Sequence, residues 1–128
     1  MGHLFYGTST ESIRIPDRLL SHIKVVTATK LRRGESFTLT WRHVEGEAGR
    51  STLWLQPAIP LRFVFDAAEP EKLDSATLKE MADMANSSAG LVVDLEARIP
   101  EAPAAPAARP TTRTAAAPSR RGSLTVAA

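Results

Sequence analysis

The hydrophobic residues of this chain are densest in residues 50–65, RSTLWLQPAIPLRFVF. Apolar side chains alternate with other residues on either side of a break formed by Pro57 and Pro60. Alternation of this kind is typical of strands that place one face on a core. It predicts two strands, 51–56 and 61–65, whose inward side chains are Leu53, Leu55, Leu61, Phe63 and Phe65.

Shorter alternating runs predict four more strands. In one of them Phe37, Leu39 and Trp41 share the inward face. The first two runs are separated by a turn and predict an N-terminal hairpin, and a polar loop after the third predicts a second hairpin. These strands are 4–6, 12–15, 36–42 and 91–95.

Two helices are predicted between the strands. The first begins at Pro16 and Asp17, where proline is tolerated and the carboxylate can cap free amides, and it ends before Gly34. The second is capped by Asp74 or Ser75 and continues to about residue 86. Apolar residues at helical spacing give each helix an inward stripe. These stripes are Leu19, Leu20, Ile23, Val26 and Leu31 in the first helix, and Leu78, Met81, Ala82 and Ala85 in the second.

The order of elements is ββαβββαβ, with short connections. It predicts an α+β fold in which a mostly antiparallel sheet carries two helices on one face. We expect this domain to comprise residues 1–96. Residues 97–128 are largely Ala and Pro with scattered Arg and lack aromatic side chains, so we expect them to form a disordered C-terminal tail.

Charge is distributed unevenly along the chain. Residues 1–96 carry 11 basic and 13 acidic side chains, a net charge of −2, whereas residues 97–128 carry 5 Arg and one Glu, a net charge of +4. The chain has no cysteine, no apolar run near the roughly 20 residues that span a membrane, and no signal-peptide pattern at its start. We therefore expect a cytoplasmic protein without disulfides or membrane contact.

Few residues form patterns that carry catalytic or metal chemistry. His43, Glu45 and Glu47 are metal-ligand types, but nothing nearby supplies the remaining ligands of a tetrahedral zinc site. Lys72 and Asp74 match part of the K-x-D-G motif of nucleotidyltransferases, yet a serine replaces the glycine and the segment also has the pattern of a helix start. We predict a non-enzymatic protein with no catalytic residues, no cofactor and no metal.

The polar side of the predicted sheet is the best candidate for a binding site. In the strand phase given above, it carries Arg42, Trp54 and Arg62. An exposed Trp flanked by arginines suits stacking on bases with neutralisation of phosphates. The alternative is that Trp54 lies under a loop, the tail or a second copy of the chain. The same side also holds Arg14, Thr38, Thr40, Thr52 and Gln56.

Arg32 and Arg33 form a second basic candidate at the end of the first helix. Basic residues are common there because they complement the negative end of the helix dipole. Together with Lys30 they could instead form a cluster that contacts phosphate. The sequence leaves both interpretations open.

Three segments carry a resemblance to a known family: KLRRGESF at 30–37, GRSTLWLQPAIPLRF at 49–63 and ANSSAGL at 85–91. They resemble a family of short actinobacterial proteins without an established function, whose members are often labelled ATP-dependent DNA ligase. The resemblance covers roughly residues 1–95 and implies a role connected with DNA. It implies no catalytic residues.

Two classes of function follow from these observations. The first is a small non-enzymatic binding or accessory domain that holds nucleic acid, or a nucleic-acid enzyme, through Arg42, Trp54 and Arg62 with help from the basic tail. Its affinity would fall with salt, because neutralised phosphates release counterions. The second is a structural or protein-interaction module, including a homodimer formed through the same face, whose assembly would depend on concentration and little on salt.

Overall fold

The predicted order of elements and the α+β class are confirmed. The computed structural model describes residues 1–44 and 47–100. Within this part of the chain, neither helix is long and apolar enough to cross a membrane. The elements are β1 (Gly2–Tyr6), β2 (Ser12–Ile15), α1 (Asp17–Arg32), β3 (Phe37–Arg42), β4 (Arg50–Leu55), β5 (Leu61–Val64), α2 (Ser75–Ala85) and β6 (Leu91–Val93).

The strands are divided between two sheets of three strands each. Sheet A has the order β2-β1-β5 and is antiparallel throughout. Sheet B has the order β4-β3-β6, in which β3 and β4 form an antiparallel hairpin and β6 runs parallel to β3. The chain therefore changes sheets between β4 and β5, at the turn that contains Pro57 and Pro60. An alternating pattern predicts which side chains face inward, but it does not say which strands are neighbours.

The inward side chains of both sheets meet the two helices in a single core. Leu55 is 1% exposed and Leu53 is half-buried, whereas Trp54 between them is 56% exposed. The predicted phase of this strand is thus correct. The fully buried apolar side chains come from both sheets and from α1: Leu4, Ile15, Leu20, Ile23, Leu39, Leu55 and Leu91.

Helix α1 begins after Pro16, but Asp17 does not cap it as predicted. No side chain caps this end of the helix. The Asp17 carboxylate instead accepts hydrogen bonds from the backbone N–H groups of Asp66 and Ala67, at 3.0 Å each. Asp17 thereby holds the segment that follows β5 against the start of α1. Its carboxylate oxygens bond to these two amides instead of to the free N–H groups at the start of the helix.

Helix α2 begins with the predicted cap. The Asp74 carboxylate accepts hydrogen bonds from the Thr77 backbone N–H at 3.0 Å and from the Thr77 hydroxyl at 2.6 Å. The Asp74 backbone N–H in turn donates to Nε2 of His22, a fully buried residue of α1, at 2.9 Å. The other nitrogen of this ring, Nδ1, lies 2.7 Å from the Arg18 carbonyl oxygen. His22 therefore joins the start of α2 to the first turns of α1.

The chain after β6 is also held by α1. The Arg18 guanidinium donates hydrogen bonds to the carbonyl oxygens of Ile99 at 3.3 Å and Pro100 at 2.6 Å. Ile99 packs against the core. Residues 97–100, which the sequence assigns to the tail, thus contact the domain. The prediction of disorder for the rest of the tail lies outside the described residues.

Two glycines with positive φ occupy very different surroundings. Gly34 follows α1 with φ of 76°, as predicted, and a Cβ placed there would meet nothing within 4 Å. Gly90 precedes β6 with φ of 78°, and a Cβ there would lie 1.9 Å from the Thr38 hydroxyl oxygen and 2.8 Å from the Thr38 carbonyl oxygen. Only glycine allows β6 to lie this close to β3.

Alanine substitutions at these two glycines should therefore differ sharply in cost. Gly34→Ala should lower the free energy of unfolding by about 1 kcal/mol, the cost of a left-handed backbone. Gly90→Ala should lower it by about 3 kcal/mol or more, because overpacking against β3 is added to the same backbone strain. Urea denaturation followed by circular dichroism measures both values. Equal losses for the two variants would contradict the close contact between Gly90 and Thr38.

Candidate nucleic-acid interface

The outward side of sheet B is an open face built from three strands. The register pairs Thr38 with Trp54, Thr40 with Thr52, and Arg42 with Arg50 across the β3–β4 hairpin. Val92 of β6 lies opposite Thr40 on the other side of β3. We call these residues the outer face of sheet B: Thr38, Thr40, Arg42, Arg50, Thr52, Trp54 and Val92.

Trp54 lies at one end of the outer face of sheet B. Its side chain is 56% exposed, which is unusual for so large an apolar group, and Val92 on the far strand is 48% exposed. The backbone beneath Trp54 is fixed, since its carbonyl oxygen accepts a hydrogen bond from the Tyr6 hydroxyl of sheet A. The indole is therefore presented to solvent from a strand that is tied to the other sheet.

Arg42 and Arg50 lie directly opposite each other at the other end of this face. Both are exposed, and among the described residues neither side chain forms a hydrogen bond or an ion pair. Glu47, Asp94 and Glu96 line a pocket beside Arg42 without forming an ion pair with it. Like charges placed directly opposite on a sheet repel each other. The pair is therefore a position where a bound anion would relieve repulsion.

Two hydroxyl groups connect the tryptophan end to the arginine end. The Thr40 and Thr52 hydroxyl oxygens lie 2.8 Å apart and share a hydrogen bond between the two strands. Both keep lone pairs that accept a further hydrogen bond. The outer face of sheet B thus runs from an aromatic ring, over hydroxyls, to a paired positive charge.

Arg62 was predicted to share this face, and that part of the prediction is wrong. Arg62 does point outward, but it lies on β5 in sheet A, where it pairs with Phe5. Its guanidinium carbon is 5.2 Å from the centre of the Phe5 ring, a cation–π contact. Arg14 lies on the same outward side of sheet A. Arg62 lies on sheet A because the chain changes sheets after β4, so that β5 pairs with β1 instead of with β4.

Arg32 and Arg33 are exposed at the end of α1, as predicted. Arg33 and Lys79 line a groove of about 320 Å³ between α1 and α2. Lys30 does not extend this cluster into solvent. It is 9% exposed, and its ammonium contacts the Asn86 side-chain oxygen at 2.7 Å and the Glu35 carboxylate at 3.1 Å. Lys30 therefore closes the end of α1 and is engaged within the domain.

His43, one of the metal-ligand types noted in the sequence, is held in place by contacts at both of its ring nitrogens. Nδ1 of His43 lies 3.1 Å from the Ala48 carbonyl oxygen, and Nε2 lies 2.8 Å from the Ser51 hydroxyl oxygen. Both ring nitrogens are thus engaged in the loop. Glu45 lies outside the described residues, and the described part of the chain contains no group of three or more candidate ligands.

The K-x-D segment forms the entry to α2. Lys72 is exposed, and its carbonyl oxygen accepts a hydrogen bond from Nε of Arg18 at 3.2 Å. Asp74 is the helix cap described above. Asp74 thus has a structural role through its side chain, whereas Lys72 contributes its backbone carbonyl.

Sequence reasoning missed a cleft of about 830 Å³ between the inward faces of the two sheets. It is lined by half-buried apolar and aromatic side chains of β1, β2, β3 and β4, among them Tyr6, Ile13, Trp41 and Leu53, together with polar and charged side chains. One signal was available in the sequence. Ser51 occupies an inward position in β4 where its neighbours are leucines, so it fills little space opposite Trp41.

Comparison with known proteins identifies a family for this chain. A family model described as a domain of unknown function (DUF7882) matches residues 1–96. Neither a curated protein nor a solved structure matches the chain. The match covers every strand and both helices.

The cap of α2 makes stability depend on pH. Hydrogen bonds from the Thr77 hydroxyl and backbone N–H lower the pKa of Asp74 from its ordinary value. A carboxyl whose pKa is lower in the folded state stabilises the fold above its unfolded pKa of about 4, and this contribution is lost as the pH falls through the folded pKa. Asp74→Asn keeps a capping oxygen but does not titrate.

We therefore expect wild type to have a higher Tm than Asp74→Asn at pH 6, with the difference shrinking as the pH falls below about 4. Thermal denaturation at a series of pH values measures it. As a control, the Asp83→Asn difference should be much smaller, since Asp83 is exposed and contacts only Lys79. A Tm difference for Asp74→Asn that stays constant down to pH 2 would contradict this assignment.

Proposed function

The chain belongs to the DUF7882 family of domains of unknown function, and we propose that it is a non-enzymatic module that binds single-stranded nucleic acid on the outer face of sheet B. The observation that carries this proposal is the pairing of Arg42 with Arg50, on the same open face as an indole that is 56% exposed. Neither feature stabilises the isolated domain. Both would make favourable contacts with a polyanion whose flat bases lie along the strands.

Each part of the face has a separate task in this proposal. Trp54 stacks on a base, an interaction worth about 1–3 kcal/mol. Arg42 and Arg50 contact phosphate oxygens through their forked donors. The Thr40 and Thr52 hydroxyls between them accept or donate hydrogen bonds to the sugar or to base edges.

The geometry favours single strands over duplexes. Trp54 and Arg50 are four residues apart on β4, which places them about 13 Å apart along the strand. A face of this length offers stacking to bases that are already unpaired. A duplex would present phosphates to the arginines but would keep its bases away from the indole.

The basic tail adds a contribution to affinity that does not depend on the nucleotide sequence. Its arginines at 109, 113, 120 and 121 lie outside the described residues, so only their charge enters the proposal. Charge of this kind raises affinity for any nucleic acid and makes that affinity fall with salt. The face and the tail are therefore expected to contribute differently: the face selects single strands and the tail increases binding to all.

One observation also favours a second candidate function. Val92 and Trp54 are both exposed apolar side chains on one open sheet, and such patches often bind protein. A homodimer through the outer face of sheet B would bury both. It would bring Arg42 and Arg50 of each copy into the same interface, however, and that repulsion makes nucleic acid the better occupant.

Fluorescence anisotropy of a labelled oligonucleotide tests the proposal with the full chain. Trp54→Ala should weaken binding to single-stranded DNA about tenfold, given the stacking energy above. Arg42→Gln with Arg50→Gln should weaken it and should also flatten the salt dependence by about one unit of slope per arginine removed. Arg62→Gln, on sheet A, is the matched control and should change affinity by less than about twofold.

Other outcomes would assign the binding to charge alone, to the tail or to a protein partner. Equal weakening by Arg62→Gln and by Arg50→Gln would mean that charge alone drives binding. Replacing the four tail arginines by glutamine should lower affinity for single and double strands alike, and a complete loss of binding would assign the activity to the tail. Absence of binding in wild type, with sedimentation showing dimers that Trp54→Ala dissociates, would favour the protein-interaction function.

The non-enzymatic part of the proposal has its own test at Lys72. Incubation of the full chain with ATP and Mg²⁺ should leave the intact mass unchanged, because Lys72 is exposed at a helix entry and the described residues contain no group of three or more candidate ligands for a metal ion. Intact mass spectrometry measures this. A covalent adenylate that disappears in Lys72→Arg would overturn it.

A further inference from the structure

The cleft between the two sheets is a space that neither helix covers. Its volume is about 830 Å³, within the range of roughly 300–1,000 Å³ seen for small-molecule sites. Its lining comes from β1 to β4, their adjoining loops and Leu95, and it includes no residue of α1 or α2. The helices therefore fill only one end of the space between the sheets.

Burial along the inward faces falls steadily toward this cleft. Four strands each have one fully buried apolar side chain in the core and, two residues along, a half-buried one that lines the cleft. A core that was simply loose would show scattered exposure, whereas here the exposed surface is continuous and concave. These pairs are Leu4 and Tyr6, Ile15 and Ile13, Leu39 and Trp41, and Leu55 and Leu53.

The walls of the cleft are mixed, and several of the hydroxyl groups among them are already paired. The Tyr6 hydroxyl donates to the Trp54 carbonyl oxygen. The Ser51 hydroxyl contacts His43, and the Ser12 hydroxyl lies 2.9 Å from Nδ1 of His3. A ligand would therefore meet the Tyr6 and Trp41 rings beside hydroxyl groups that are already paired.

The charged residues of the cleft are mainly acidic. Glu11 and Glu47 line it and are both exposed, and neither side chain has an ion-pair partner among the described residues. Arg14 also lines the cleft, but it belongs to the outward side of sheet A and lies close to Asp66. The pKa of Asp66 is lowered chiefly by its hydrogen bond with the N-terminal ammonium, and the nearby charge of Arg14 contributes to the same effect.

We propose that this cleft is a second binding site, which takes a small organic cation with a flat apolar body. The body would lie against Tyr6, Trp41, Ile13 and Leu53, and the positive end would face Glu11 and Glu47. Aromatic rings attract cations through their negative faces, and the two carboxylates add charge complementarity. This site uses the inward side of the sheets, and Thr52, which belongs to the outer face of sheet B, also lines it.

Two aromatic dyes of opposite charge test the proposal on the full chain. The cation auramine O and the anion 8-anilinonaphthalene-1-sulfonate both fluoresce when they are held in an apolar site. The cationic dye should bind at least about fivefold more tightly. Glu11→Gln with Glu47→Gln should remove most of that preference, and Ile13→Phe, which narrows the cleft, should weaken both dyes.

Trp54→Ala separates this site from the outer face of sheet B. It should leave the affinity for the cationic dye within about twofold of wild type, while it weakens binding of single-stranded DNA. Loss of dye binding in Trp54→Ala would place the dye on the outer face and overturn the proposal. Equal affinity for the two dyes in wild type, unchanged in Glu11→Gln with Glu47→Gln, would do so as well.

Ile13→Phe could also act by unfolding the protein, so its Tm is measured beside that of wild type. If this variant is unstable, amide chemical shifts of wild type titrated with auramine O decide the matter. Shifts concentrated at Ile13, Trp41 and Leu53 support the cleft, and shifts confined to other residues exclude it.

Discussion

The buried imidazole of His22 fixes the arrangement on which the rest of the domain depends. It is fully buried, with one ring nitrogen on the Arg18 carbonyl oxygen and the other on the Asp74 backbone N–H. A buried ring of this kind is stable only when both nitrogens are satisfied, so it locks the start of α2 to α1. One turn earlier, the Arg18 side chain holds the chain after β6 by two carbonyl oxygens. A single turn of α1 therefore sets both the entry to α2 and the path of the chain that leaves β6.

Fixing the two helices at one end leaves the other end of the sheets uncovered. Two helices of 16 and 11 residues do not cover all of the inward surface offered by six strands, since neither helix lines the cleft. The remaining inward surface becomes the cleft, and the outward surface of each sheet faces solvent. Antiparallel sheets tolerate such one-sided burial well. Both candidate sites are thus consequences of how little of the sheets the helices cover.

The sequence predicted the elements because each prediction rested on local spacing. Alternation gave the phase of β4, so Trp54 was placed outward correctly, and the cap at Asp74 was identified from its residue type and position. Local spacing does not show which distant strands pair with each other. Arg62 was therefore assigned to the wrong sheet, and Arg50, the partner of Arg42 across the hairpin, was overlooked. The cleft was missed for the same reason, since its walls come from strands far apart in the chain.

The two proposed sites use opposite sides of the same strands. Trp41 and Ser51 face the cleft, while their chain neighbours Arg42 and Arg50 face outward. Glu47, in the loop between β3 and β4, lines both the cleft and the pocket beside Arg42. Interactions between exposed charges are largely screened beyond about 10 Å at 0.1 M salt. At physiological salt a cation in the cleft and a polyanion outside therefore influence each other mainly near Glu47, and elsewhere each binds according to its own contacts.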